Sequence, residues 1–172
     1  MITEPPEPAP PPRPLQRLCD LSGAIGALVL VAIACMTVVS VVGRAFFSYP
    51  ILGDVELVQL GSAVVVACFL PYTQLNRANI IVDFFTARAR PSLQRAMDAF
   101  GTLLYTIVMA LIVWRVAAGG LAVHESGETS MLMGLPLWWT YVLMLPGLAL
   151  CVVIGAVQTA VLFRSVRGEA AR

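Results

Sequence analysis

The sequence predicts an all-α, polytopic membrane protein with four transmembrane helices. Three observations carry that expectation. Of 172 residues, 59% are hydrophobic and only 12% are charged, against roughly 45–50% and about 25% in ordinary soluble domains. The apolar residues gather into four long runs separated by short polar stretches. The basic residues, all of them arginine, collect on one set of connections.

Residues 1–14 hold seven prolines. Each proline lacks an N–H and clashes with the preceding turn of a helix, so the head reads as a disordered or polyproline tail, here bounded at 1–19. The first apolar run, Leu21 to Gly43, is free of charge and contains eleven Leu, Ile or Val residues. On insertion scales those eleven favour the bilayer by roughly 3–7 kcal/mol. At 1.5 Å per residue the run reaches about 35 Å, enough for a hydrocarbon core of about 30 Å. It is too long for a signal-peptide core, and Arg44-Ala45-Phe46-Phe47 follows in place of a small-residue cleavage site.

The second run, Leu57 to Asn76, is bounded by Asp54 and Glu56 before it and Arg77 after it. Pro71 inside it predicts a kink. The third run begins after Asp98 and passes through Arg115 to Val123; the fourth begins near Leu135 and ends at Arg164. Pro136 suits a first turn, and Pro146 predicts a kink or a local break. Lipid offers the backbone no hydrogen bonds, so each run must be helical. The expected divisions are thus a tail at 1–19, a transmembrane domain at 20–165 and a second tail at 166–172. Between the second and third runs, Ile80, Ile81, Phe84 and Phe85 precede Arg88, Arg90 and Arg95. That pattern predicts a short amphipathic helix lying on the membrane surface.

With four spans, both termini and the middle connection share one side. That side carries nine arginines: Arg13, Arg17, Arg77, Arg88, Arg90, Arg95, Arg164, Arg167 and Arg172. The other carries Arg44 and Arg115. The positive-inside rule then makes both termini cytoplasmic. Arg44 and Arg115 fall toward the outer face with Asp54, Glu56, Glu125 and Glu128.

Several functions are disfavoured. No acidic residue lies near the middle of any run, whereas proton-driven transporters keep such a group because it is costly and normally functional. His124 is the single histidine, which excludes a bis-His haem site within this chain. Grouping His124 with Glu125 and Glu128 matches no zinc spacing. Cys19, Cys35, Cys68 and Cys151 form no C-x-x-C pair and read as small packing residues. No nucleophile motif, phosphate-cradling loop or nucleic-acid-binding basic surface is present, so neither a cofactor nor an enzymatic role is expected. An autonomous channel or exporter would need a polar pore, built around Thr37, Ser40 and Ser62.

Two features point to packing or partners. Gly147, Cys151, Gly155 and Thr159 recur every fourth residue, a small-residue stripe that permits close helix approach in lipid. Either this chain's own helices or a partner's use it. Arg115 would cost about 2.5–3.5 kcal/mol at the bilayer centre on insertion scales. It either snorkels to lipid phosphates or pairs with Glu56 or with a partner subunit. Trp138, Trp139 and Tyr141 suit an interfacial anchor.

The chain resembles the small, DctQ-like membrane subunit of tripartite ATP-independent periplasmic (TRAP) transporters over roughly residues 20–165. Short features in order carry the resemblance: Gly43-Arg44-x-Phe46-Phe47, Gly53-Asp54-Val55-Glu56-Leu57, Arg77-Ala78-Asn79-Ile80-Ile81-Val82-Asp83, Glu128-Thr129-Ser130, Pro136-x-Trp138 and Pro146-Gly147. Asn79 stands where the family commonly shows His. The resemblance implies a non-catalytic brace for a large transport subunit in the bacterial inner membrane. In such systems a periplasmic binding protein delivers an organic acid for sodium-coupled uptake. On that basis Arg44, Asp54, Glu56, Arg77, Asp83, Arg115, Glu125 and Glu128 are candidate contacts to the large subunit, the binding protein or membrane lipids.

Orientation is directly testable. A reporter fused after Arg172 should signal from the cytoplasm, and one inserted after Asp54 from the periplasm. A periplasmic C-terminal reporter would contradict the four-span arrangement.

Overall fold

The computed structural model describes residues 13–47, 51–76 and 91–170. Four helices account for almost all of them: α1 (Arg13–Phe47), α2 (Asp54–Leu75), α3 (Pro91–Ser126) and α4 (Trp138–Ala170). Each is long and apolar enough to cross a membrane. The expected surface helix, with Arg77 and Asp83, lies outside the described residues.

The helices run beyond the divisions expected from the sequence. α1 begins at Arg13, so residues 13–19 are helical rather than part of a tail. Pro14 falls in the first turn, where its missing N–H has no intrahelical partner to lose, and Leu15 and Cys19 are buried. α3 starts at Pro91, well before Asp98. Pro91, too, opens a helix rather than interrupting one. α4 continues past residue 165 to Ala170 and stays one element across Pro146. It starts at Trp138 instead of Leu135, because residues 129–136 are drawn into a loop pairing of Thr129 with Pro136.

The bundle is ordered by contact as α1, α2, α4, α3. α4 packs chiefly on α3 and α2, and α1 packs chiefly on α2. α1 and α4 meet near the chain's N-terminus, where Leu15, Cys19 and Ile154 form a buried cluster supported by Leu75 and Leu150. A second buried cluster joins Ala67, Met109, Leu148 and Cys151, flanked by Tyr105, Val113 and Met144. The flanking helices α1 and α3 leave long rows of Leu, Ile and Val exposed, Leu28, Val31, Leu104 and Leu111 among them. In water so large an apolar surface would be a liability; in a bilayer it faces lipid or another helix.

The small-residue stripe of α4 is turned into this packing. A Cβ on Gly147 would run into the Ala67 carbonyl, with the carbonyl carbon 2.8 Å away. Pro71 has no N–H to bond that carbonyl four residues earlier, so close approach of the α4 backbone covers a group that its own helix leaves free. Cys151 is completely buried. Gly155 sits against Thr106, whose Oγ1 would lie 2.5 Å from an added Cβ. Thr159 Oγ1 lies 3.5 Å from Thr106 Oγ1. The stripe therefore serves α2 through Gly147 and α3 through Gly155 and Thr159, within one chain.

Gly147→Ala should destabilise the bundle by about 1–3 kcal/mol, because the crowded atoms are backbone and cannot rotate away. Gly101, with nothing within 4 Å of an added Cβ, provides the control. Thermal unfolding of purified Gly147→Ala and Gly101→Ala, followed by monodispersity in detergent, should separate them. Equal stability would exclude close α2–α4 packing at Gly147.

Candidate functional site

The α1–α2 and α3–α4 connections lie at the same end of the bundle, here called the two-loop end. Polar side chains gather there because the apolar runs of all four helices stop. α1 ends in Ser40 and Arg44, and α2 opens with Asp54 and Glu56 on its first turn. Carboxylates at a helix N-terminus are favoured by its unpaired N–H groups and macrodipole.

Asp54 ties α1 to α2. Its Oδ2 accepts a 2.6 Å hydrogen bond from the Ser40 hydroxyl and lies 3.3 Å from Arg44 Nη2. Its Oδ1 accepts from the Val55 N–H at 2.8 Å. Ser40 is fully buried, so its bond is sheltered from water, whereas the Arg44 side chain is 61% exposed and its ion pair contributes little. Gly53 precedes this clamp with φ +78°, in the left-handed region that favours glycine. A Cβ there would also strike Met133.

Glu56 ties α2 to the other connection. Its carboxylate accepts from the Leu132 N–H at 2.9 Å and the Met133 N–H at 3.3 Å. The loop has its own frame: Ser130 N–H donates to the Leu135 carbonyl at 2.8 Å, Leu137 N–H to the Glu128 carbonyl at 3.1 Å, and Leu135 N–H to Ser130 Oγ at 3.3 Å. Gly127 and Gly134 adopt positive φ at its two turns. The clamp displays Met131, which is 99% exposed, beside exposed Leu132, Glu125 and Glu128. Below it, the His124 and Trp138 rings lie 4.9 Å apart, and Trp138 and Trp139 5.0 Å apart.

The expected residues divide accordingly. Arg44, Asp54 and Glu56 sit at the two-loop end, as do Glu125 and Glu128. Glu56 is not paired with Arg115. It is occupied by the 132–133 backbone, while Arg115 lies exposed on α3, eleven residues before its end at Ser126.

Residues that the sequence reasoning passed over fasten the helices deeper in the bundle. Gln74 Nε2 donates to Gln158 Oε1 at 3.0 Å, and Gln158 Nε2 donates to the Gln74 carbonyl at 3.1 Å. Ser22 donates to the Cys68 carbonyl at 2.9 Å, one residue from the carbonyl that Pro71 frees. An amide side chain inside an apolar run was the available signal for the glutamine pair. The hydroxyls considered for a pore are committed elsewhere: Thr37 bonds the Ile33 carbonyl at 2.9 Å and Ser62 the Val58 carbonyl at 2.6 Å, each within its own helix, while Ser40 holds Asp54.

These features define a class: a polytopic helical membrane protein whose resolved polar contacts fasten helices and loops. Within that class the chain belongs to the DctQ component of the tripartite ATP-independent periplasmic transporters, whose family model matches residues 33–165. No curated protein and no solved structure matches it.

Removing the Glu56 clamp should free the loop without unfolding the bundle. In Glu56→Ala, amide hydrogen exchange should accelerate at Leu132 and Met133 and stay unchanged at Val152. Unchanged exchange at Leu132 and Met133 would show that the loop's own turns suffice to hold it.

Proposed function

We propose that this chain is the non-catalytic small permease subunit of a TRAP transporter, multi-pass in the bacterial inner membrane with both termini cytoplasmic. It braces the large membrane subunit and helps dock the periplasmic binding protein during sodium-coupled uptake of an organic acid, for instance of the dicarboxylate type. The family match over residues 33–165 carries this reading.

Two physical features support it. Acidic residues of the described helices stand near the ends of the spans, as Asp20, Asp54, Glu56, Asp98 and Glu125. A coupling site for sodium needs oxygen ligands at depth, and the Gln74–Gln158 amides are engaged with each other and with backbone. On this reading coupling is assigned to the large subunit. The two-loop end also suits docking. It carries an apolar tip at Met131, with Glu125 and Glu128 exposed nearby. Surface charge of this kind steers encounter and fixes register more than it adds affinity.

Reconstitution tests the assignment. Liposomes containing this chain alone should take up no organic acid under a sodium gradient. Liposomes containing it with the large subunit, supplied with binding protein, should take it up. Sodium-dependent uptake by the chain alone would overturn the accessory role.

A further inference from the structure

Arg115 is the outstanding unexplained group in the membrane-spanning part. Its side chain is exposed on α3, and among the described residues it has no ion pair or hydrogen bond. The surrounding face is apolar and also exposed: Val108, Leu111 and Ile112. Its depth follows from the register of the bundle. Thr106 lies against Gly155 and Gly120 against Tyr141, so Arg115 is level with about Pro146 on α4. His124, whose ring meets Trp138 beside Trp139, marks the interfacial aromatics. Arg115 lies nine residues before it, about 13 Å deeper.

Lipid headgroups do not account for this position. Helical side chains lean toward the N-terminus of their helix. For α3 that direction leads away from the nearer membrane surface, toward Met97, eighteen residues or about 27 Å away. Snorkelling to the nearer headgroups would have to reverse that lean. The groove of about 630 Å³ does not reach it either: its lining comes from α1, α2 and α4, including Ile25, Leu60 and Leu143, without a residue of α3. A guanidinium stays charged, and a charge at this depth requires an anionic or strongly accepting neighbour.

Resting on the accessory-subunit reading, we infer that the Arg115 face of α3 docks against a transmembrane helix of the large subunit, and that this helix presents a carboxylate to the guanidinium at membrane depth. A second copy of this chain cannot supply that group, because its acidic residues in the described spans stand near their ends. The carboxylate must come from a different protein. The apolar row beside Arg115 then packs on the same helix, and the bidentate geometry of an arginine–carboxylate pair sets the register between the two chains.

The test uses the full chain in membranes that also contain the large subunit and the binding protein. A photo-crosslinking residue at Ile112, one turn from an intact Arg115, should capture the large subunit; the same residue at Val31 on α1 serves as the comparison. Arg115→Glu should reduce the large subunit co-purified with the chain at least about tenfold, as expected for breaking a desolvated pair. Converting the carboxylate of the crosslinked helix to Arg should restore it. If Arg115→Glu fails to accumulate in the membrane, the Ile112 crosslink decides. Wild-type co-purification without an Ile112 crosslink, or with full yield of the Arg115→Glu complex, overturns the docking face and leaves the accessory role standing. A wild-type chain that brings down no large subunit overturns both.

Discussion

Ala67 and Gly147 bring the backbones of α2 and α4 together, and the remaining packing depends on that approach. Pro71 removes the N–H that would have bonded the Ala67 carbonyl, and in lipid no water replaces it. Gly147 lets α4 come close enough to cover the exposed oxygen. The same crossing carries Leu148 and Cys151 into one cluster with Ala67 and Met109. A bulkier residue at 147 would therefore disturb not one contact but the alignment of α4 with both neighbours.

Polar fasteners extend the pairing toward each end. Toward the terminus end the Gln74–Gln158 amides hold α2 to α4, and the Ser22 hydroxyl holds α1 to α2. At the two-loop end Asp54 and Glu56, two residues apart, reach in different directions. One takes Ser40 and Arg44 of α1, and the other takes the backbone of the 132–133 turn. α2 is thereby connected to both loops and to both neighbouring helices. Such an element suits a static support, since little in it is left to rearrange.

The outward faces have a different character. α1 and α3 flank the pair and leave most of their apolar surface uncovered. Lipid can cover such surface without specific chemistry, so most of it carries no information about partners. Arg115 is the exception on α3, because hydrocarbon cannot satisfy a guanidinium and the helix geometry directs it away from the nearer headgroups. The protein thus has one flank marked by a charge among apolar side chains and one end where a hydrogen-bonded loop carries Met131.

The sequence by itself determined four helical spans, since long apolar runs in a bilayer have no other way to satisfy their backbones. It also determined the family, through short motifs in a fixed order, and the inclusion of Gly147, Cys151, Gly155 and Thr159 on one face, through helical periodicity. Helix ends were less legible. Pro14, counted with the proline-rich head, opens α1 instead, because a proline's cost depends on which turn it occupies. Which neighbour each small residue meets was decided only in three dimensions, as were the occupation of Glu56 by the 132–133 backbone and the meeting of Gln74 with Gln158 across 84 residues of chain. Those contacts depend on the order in which the helices pack. Periodicity assigns a residue to a face of its own helix but does not say which helix lies opposite.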